Sequence, residues 1–232
     1  MIPATFDELN RLVGYKRSMD FAQYFGEMRI SPKQKRDRMA LARQLEDEFV
    51  YMVALLFYER NDLTASLALE IRDRYLKVLA DTGLISQDMV NRANEIINSR
   101  LYGDDLTGML MRHVDEFSAG IILTTMNHED EPYYYSLDRA RLMAESESHT
   151  VWNTDEFVAA EADGYLFKMW CTAGDNHVRD THTEVEGVVV PIDEPFELAG
   201  GYVQYPRDDS LGAADSEIAG CRCTVEFTNE EY

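Results

Sequence analysis

Lys168-Met169-Trp170-Cys171-Thr172 opens the stretch of sequence that decides the fold of this chain. The aromatic and apolar residues over 165–172 predict a strand that is covered on both faces. Further strands are predicted at 188–190, at 202–206, where a proline marks an edge, and at 221–227. Together they predict a small mixed sheet. The residues predicted to hold the core of this sheet together are Trp170, Asp175, Arg179, His182, Gly187, Phe196, Pro206, Cys221, Arg222 and Cys223.

A short helix is predicted where the chain turns after the first of these strands. Gly174 turns the chain, and Asp175 is placed to cap a helix that runs through Arg179 to His182. Asp175 and Arg179 are four residues apart, so they can form an ion pair on one helix face. We expect these polar residues to stabilise a small core, with His182 bonded to a strand backbone or a carboxylate and Arg222 paired with Asp175.

Three residues of this stretch carry side chains that zinc prefers. His182, Cys221 and Cys223 supply one imidazole and two thiols, and Cys171 or His177 could add a fourth ligand. Against this, structural zinc sites more often use Cys-x-x-Cys, and Cys-x-Cys on a strand sends its thiols to opposite faces. We therefore expect a buried structural cluster, with a zinc site as the alternative. A disulfide between Cys221 and Cys223 would be strained.

Residues typical of helix starts and ends divide the first half of the chain into predicted helices. Ser31 and Pro32 begin one helix, and Gly83 suits the left-handed cap that ends another. Between such signals, apolar residues recur at three- and four-residue steps. We predict an α+β protein with a helical domain over 1–127 and a C-terminal domain over 133–232, which opens with a long helix over 136–163. The predicted helix starts in the first domain are Thr5, Ser31, Asn61 or Asp62, Ser86 and Asp105.

The composition restricts the partners of the chain. Its net charge is −21, from 22 basic and 43 acidic residues, so phosphate backbones repel it and duplex DNA binding is expected to be weak at most. No apolar run approaches the roughly 18 residues that span a bilayer. We expect no secretory signal, and three cysteines with no even pairing favour reduced thiols and assembly in the cytoplasm.

A basic cluster lies at the start of the helix that follows Ser31. Such a cluster could bind an acidic partner or touch DNA. The alternative is a solvated helix face that the acidic residues at 46–48 balance. The members of the cluster are Lys33, Lys35, Arg36 and Arg38.

Trp170, Asp175, Arg179 and His182 are followed by a glycine, an aromatic-led turn, a proline and a terminal Cys-Arg-Cys. The spacing of these residues resembles that of the phage Mu head-morphogenesis (MuF-like) minor head proteins. The resemblance covers the C-terminal domain. Two positions depart from the family pattern. Glu145 stands in place of an arginine in an Ala-Arg-Thr-Glu-like helical element, and Gly220 replaces an asparagine before Cys-Arg-Cys.

The resemblance implies a phage or prophage minor head protein that acts in head morphogenesis at the portal vertex and assists genome packaging or delivery. The implied partners are the portal protein and other head proteins, and the implied location is the virion head. We expect the helical half to bind the partner through 49–58. If that segment is central to the core, the expected contact residues are Leu106, Met109, Leu110, Ile121 and Ile122.

An enzyme is the competing hypothesis. A cysteine and a histidine are the minimum for a thiol nucleophile, and MuF-like domains occur fused to toxin enzymes. The alternative is therefore a metal- or thiol-dependent enzyme with a toxin-like role. The sequence contains no Gly-rich phosphate loop, no serine nucleophile elbow and no His-Glu-x-x-His motif. We expect no enzymatic activity and no cofactor other than the zinc of the alternative site.

Overall fold

Helices make up most of the described residues, and short strands follow them. The structure is a computed structural model that describes residues 21–59, 63–93 and 105–230. The helices are α1 Phe21–Gly26, α2 Pro32–Tyr58, α3 Ala65–Asp81, α4 Gln87–Ala93, α5 Leu106–Asn127, a 3₁₀ helix Pro132–Tyr135, α6 Leu137–Ala162, α7 Asp180–Thr183 and α8 Asp215–Ile218. The strands are β1 Phe167–Cys171, β2 Val189–Pro191, β3 Phe196–Leu198, β4 Gly201–Val203 and β5 Thr224–Thr228. The predicted α+β class is confirmed.

The described residues group into two compact units. One unit contains the described residues of 40–145, and the other joins 21–39 to 146–230. Both α2 and α6 contribute residues to each unit, so the units divide within these helices. The predicted domains, 1–127 and 133–232, divide instead at the charged linker before Pro132, and they stay a prediction.

Three helices begin where their capping residues predict. Ser31 Oγ accepts a hydrogen bond from the Gln34 amide at 3.2 Å, and Gln34 Oε1 accepts one from the Ser31 amide at 2.9 Å, which is a reciprocal capping box at the start of α2. Asp105 caps α5 by accepting from the Gly108 amide at 2.8 Å. Ser136 accepts from the amide three residues later and caps α6.

The start of α3 differs from its prediction. This helix begins at Ala65 with Thr64 at the N-cap, and the Thr64 side chain makes no capping bond. Its end agrees with the sequence, because Gly83 follows the helix with a φ of 80°, which a glycine adopts at no steric cost. The predicted starts at Thr5, Asn61 and Asp62 and the continuation of the helix after residue 93 lie outside the described residues.

The core of the first unit forms around the middle of α2. Phe49 stacks on Phe117 with ring centroids 5.1 Å apart and meets Tyr75 edge-on at 5.5 Å. Residues 49 and 52–56 are buried, so the segment 49–58 is central to the core except at its end, where Tyr58 is exposed. The buried residues of α5 recur at helical spacing and face this core.

That orientation of α5 overturns the second expected contact surface. Leu110, Ile121 and Ile122 are buried, and Leu106 and Met109 are only partly exposed. The exposed apolar residues of this helix are instead Leu123 and Met126, at 61% and 52% of their accessible surface. The periodicity identified the helix correctly but did not determine which apolar residues face inward.

The second unit contains two small sheets. One has the strand order β2-β1-β5, and the other is the hairpin of β3 and β4. The described strands pair antiparallel throughout, whereas we predicted a mixed sheet. Burial alternates along β1, with Lys168 and Trp170 inside, so this strand is half-buried and not covered on both faces.

Two further elements of this unit differ from their predictions. The last strand begins at Thr224, so Cys221, Arg222 and Cys223 precede it in irregular backbone. The short helix α7 begins at Asp180 with Arg179 at its N-cap, and Asp175 does not cap it. None of the described helices is long and apolar enough to span a membrane.

Lys168 is a charged side chain in the core of the second unit. It is fully buried, and its Nζ donates to Ile192 O at 2.8 Å and to Gln204 Oε1 at 2.5 Å. The ammonium also lies 4.9 Å from the Phe157 ring centroid. Burial lowers the pKa of Lys168 from 10.5 to about 8, because the charged form is poorly solvated there.

We expect Lys168 to make the second unit more stable as the pH rises from 7 to 10.5. Between about pH 8 and 10.5 the unfolded lysine still binds a proton that the folded lysine has released, so a rise in pH favours folding. Relative to Lys168→Met, the wild-type free energy of unfolding should gain about 3 kcal/mol. Urea unfolding of both proteins at the two pH values, followed by tryptophan fluorescence, measures this. A difference that does not change with pH would contradict it.

Candidate functional site

His182, Cys221 and Cys223 converge in the second unit. All three are buried, and their ligand atoms lie within 4.8 Å of one another. His182 Nδ1 is 3.6 Å from Cys221 Sγ and 3.5 Å from Cys223 Sγ. The other imidazole nitrogen, Nε2, is 3.1 Å from a carboxylate oxygen of Glu217, which also accepts a hydrogen bond from Thr181. The predicted cluster is therefore present, with a buried carboxylate behind the histidine.

Local structure explains why both thiols face the histidine. Residues 221–223 form no strand, so the alternation that sends neighbouring side chains to opposite faces does not apply to them. Gly220 has a φ of 66° and turns the chain just before Cys221. Glycine and asparagine are the residues that adopt this left-handed conformation most readily, which accounts for the exchange between them at this position.

Aromatic rings seal the cluster on the side of the sheet. Trp170 meets the His182 ring edge-on at 5.3 Å and meets Phe196 in the same way at 5.2 Å. Gly187, with a φ of 73°, donates its amide to Trp170 O at 2.9 Å and so places the following strand beside β1. These motif residues surround the cluster with apolar surface.

The two buried thiols share their protons unequally. The Cys223 thiol bonds to the Cys221 sulfur and, against the opposing effect of burial, holds the pKa of Cys221 well below its usual range. The same contact and burial raise the pKa of Cys223. The nearby amide of Cys223 also donates to Cys221 Sγ at 3.4 Å, which favours negative charge on that sulfur.

The ion pair of the motif joins Asp175 to Arg222. The Arg222 Nη2 donates to both carboxylate oxygens of Asp175, at 2.7 and 2.6 Å, as we expected for the structural role of Arg222. Although burial opposes it, the His177 amide and Arg222 lower the pKa of Asp175. The predicted pair of Asp175 and Arg179 is absent from the described contacts, because Arg179 lies at the N-cap of α7 and donates to Ala219 O.

The basic cluster at the start of α2 is not one surface. Arg38 is fully buried, so the prediction that placed it on an exposed patch was wrong. Lys33 pairs with Asp37 at 2.6 Å, and Lys35 donates to Gly26 O at 2.8 Å. Arg36 is exposed. Three cations of the predicted cluster are therefore occupied within the chain.

Arg38 instead crosses to α6 within the second unit. Its guanidinium donates to both carboxylate oxygens of Glu156 at 2.8 and 2.9 Å, to Asn153 Oδ1 at 3.0 Å and to His149 Nδ1 at 3.1 Å. Burial and the adjacent Arg38 charge lower the pKa of His149 well below its usual range. His149 is thus neutral, and its Nε2–H donates to Cys223 O at 2.9 Å.

The family model of the Phage Mu protein F like proteins matches residues 110–226, half of the chain. The chain belongs to this family. The predicted MuF-like resemblance is therefore confirmed.

Two curated proteins are similar to this MuF-like chain. Minor head protein GP7 of Bacillus phage SPP1 is 30% identical over 96 residues, which cover 40% of this chain and 30% of that protein. An NAD(+)–arginine ADP-ribosyltransferase EFV of Enterococcus faecalis is 27% identical over 159 residues, which cover 61% of this chain and 31% of that protein. The chain thus spans about three-tenths of the length of each. No solved structure matches it.

Sequence reasoning missed several residues that hold the MuF-like motif in place. Asn153 donates to Pro206 O at 3.0 Å, and Arg207 donates to Cys221 O at 3.4 Å and to Ser146. Glu217 was assigned to no role. No local pattern reveals them, because each partner lies at least 14 residues away along the chain. His149 is fully buried, whereas its place on the helix predicted a structural histidine with an exposed or partly buried side chain.

A small cavity opens beside the cluster. Its volume is about 10 Å³, close to the space that one water molecule requires. His182, Cys221 and Cys223 line it together with His177 and Arg222. Cys171 lies elsewhere, and its thiol donates to Met169 O at 3.7 Å. The cavity can therefore hold an ion or a water molecule but not an organic substrate.

We expect Arg38→Met to lower the free energy of unfolding by about 3–5 kcal/mol, because it leaves the charge of Glu156 and several polar atoms without their buried partner. Arg36→Met is the matched control, since Arg36 is exposed on the same helix, and its effect should stay within about 0.5 kcal/mol. Urea unfolding monitored by the two tryptophans measures both. Equal stability of the two variants would contradict the structural role of Arg38.

Proposed function

We propose that this chain is a minor head protein of a phage or prophage, that it acts in head morphogenesis, and that it associates with the portal vertex. The observation that carries the proposal is the family match over 110–226, supported by the similarity to a protein named as a minor head protein. The proposed partners are the portal protein and other head proteins. The proposed location is the virion head, reached by assembly in the host cytoplasm.

The proposed mechanism is binding through the helical unit. Leu123 and Met126 are three residues apart on α5, so they lie side by side on one helix face. Both are more than half exposed, while their neighbours Ile121 and Ile122 are buried in the core. An exposed apolar pair on an otherwise acidic protein favours contact with another protein over contact with nucleic acid.

The similarity to an ADP-ribosyltransferase requires a separate account. Its matched segment covers 31% of that protein, and the minor head protein matches the same chain over 30% of its own length. We infer that the shared segment is a module that both relatives contain and that NAD⁺ chemistry belongs to the remainder of the transferase.

A thiol enzyme receives little support from the third cysteine. Burial, together with Glu226 and Glu186, raises the pKa of Cys171 to about 11, so this thiol stays protonated at neutral pH and is a poor nucleophile. The pKa of Cys221 is lowered, but Cys221 and Cys223 are buried and the cavity beside them has no room for an organic substrate. These observations favour a structural protein.

We expect Leu123→Glu with Met126→Glu to weaken binding of the full chain to the portal protein of its phage by at least about tenfold, since a central apolar contact contributes about 2 kcal/mol. Co-expression and co-purification, followed by titration calorimetry, measure the change. Leu211→Glu is the control, because Leu211 is a comparably exposed apolar residue in the second unit.

Three results separate the possibilities for this surface. Loss of binding in the α5 variant alone supports it. Loss in the Leu211→Glu variant alone would assign the contact to the second unit. Absence of binding by the wild-type chain, in a preparation that is folded, would contradict the portal partnership.

We expect weak affinity for duplex DNA that disappears at moderate salt, because the net charge is −21 and the basic residues of α2 are largely engaged with the chain itself. Filter binding at low and at physiological ionic strength tests this. Replacement of Arg36 by glutamate should remove what binding remains. Tight binding that resists salt would show that this reasoning from charge is wrong.

A further inference from the structure

We propose that His182, Cys221 and Cys223 bind one zinc ion, and that His177 completes the site as the fourth ligand. The site lies wholly within the second unit. Imidazole nitrogen and thiolate sulfur are the ligands that zinc selects, and a structural site holds four of them as a tetrahedron. The inference concerns a metal centre and does not depend on the proposed role in head assembly.

The distances between the ligand atoms fit a tetrahedral zinc site. A zinc–nitrogen bond of about 2.0–2.1 Å and a zinc–sulfur bond of about 2.3 Å, at a tetrahedral angle, separate nitrogen from sulfur by roughly 3.6 Å. The structure places His182 Nδ1 at 3.6 Å from Cys221 Sγ and at 3.5 Å from Cys223 Sγ. Both separations agree with those around a bound ion.

A single metal ion accounts for the contacts around His182 Nδ1. Glu217 Oε2 faces His182 Nε2 at 3.1 Å, and a carboxylate only accepts, so Nε2 carries the proton. In the neutral ring Nδ1 then presents one lone pair, which can accept one good hydrogen bond. Two sulfurs nevertheless approach that nitrogen at nearly equal distances. One ion bonded to all three atoms satisfies the lone pair and both sulfurs together.

The surroundings have the features of a metal site. A carboxylate that accepts from the distal nitrogen of a histidine ligand orients the ring and raises its basicity, and Glu217 has this position. Glu217 is itself buried and bonded to Thr181. The amide of Cys223 donates to Cys221 Sγ, as amides do toward metal-bound thiolates that carry negative charge.

His177 is the candidate for the fourth position; its side chain is exposed and stands outside the group of three ligand atoms, so it has to turn inward to bind the ion. This residue lines the same cavity as the three proposed ligands, and that cavity has room for one ion. His177 and His182 are separated by four residues, within the three to five that zinc-binding histidine pairs use. Asp175 Oδ1 accepts from the His177 amide at 2.8 Å, so the backbone of this residue is already held beside the cavity.

The test uses the full chain, reduced and stripped of metal by a chelator, then titrated with zinc and with cobalt(II). We expect one equivalent of either metal to bind, and the cobalt form to show the thiolate charge-transfer and tetrahedral d–d absorption of a Cys₂His₂ site. Zinc should also raise the melting temperature. A folded wild-type chain that binds no stoichiometric metal would overturn the proposal, whatever the variants do.

Variants assign the ligands. Cys221→Ser and Cys223→Ser should each reduce the charge-transfer bands and together abolish them, whereas the matched control Cys171→Ser should keep them. Glu217→Gln should reduce zinc affinity by about 10–100-fold while the stoichiometry stays at one. His177→Ala should shift the d–d bands and weaken binding. An unchanged spectrum in His177→Ala would overturn the fourth ligand, and loss of the bands in Cys171→Ser would overturn the assignment of the thiols.

Discussion

The guanidinium of Arg38 is buried, so the rest of the second unit has to supply the hydrogen bonds that water would otherwise make to it. A charge removed from water is tolerated only when neighbouring groups replace its hydration. Here a carboxylate, an amide oxygen and an imidazole nitrogen, all from α6, surround it. The backbone of the same residue accepts a hydrogen bond from Ser148 at 2.6 Å. The first turns of α2 are therefore bound to α6 by polar contacts that cannot be broken one at a time at low cost.

The same network supports the segment that carries the two cysteines. Residues 221–223 lie outside any sheet, so their carbonyl groups need partners other than a neighbouring strand. Arg207 bonds to the carbonyl of Cys221, while His149 and Asn153 bond to that of Cys223. Because Arg38 donates to His149 Nδ1, the ring proton lies on Nε2, which donates it to the carbonyl group of Cys223.

Much of the fold could be predicted from local chemistry. Ser31, Asp105 and Ser136 begin helices because a capping side chain needs only the amides two or three residues ahead. The residues of the motif were also identifiable, and their family with them. The direction of the thiols was not, because we assumed that Cys221 to Cys223 continue the last strand. Pairing with β1 begins only at Thr224, and no residue in the sequence marks that limit.

Other failures have the same origin. Arg38 was assigned to a surface patch since its neighbours along the chain are basic, yet its partners lie 111 to 118 residues away. The partner of Asp175 is 47 residues distant, whereas the residue at helical spacing, Arg179, bonds elsewhere. Periodicity and spacing describe a segment by itself, and buried polar groups are placed by the segments that meet around them.

Residues 21–39 and 146–230 belong to the same unit, so the ribosome synthesises the first segment well before the second. Arg38 is translated 118 residues before Glu156. At about 5–20 residues per second this separation corresponds to a delay of roughly 6 to 24 s. During that interval the arginine is hydrated on a nascent helix, and the residues that will bury it do not yet exist. The second unit is thus completed only after the residues that follow Ser146 have been synthesised, when the intervening helices have had time to fold.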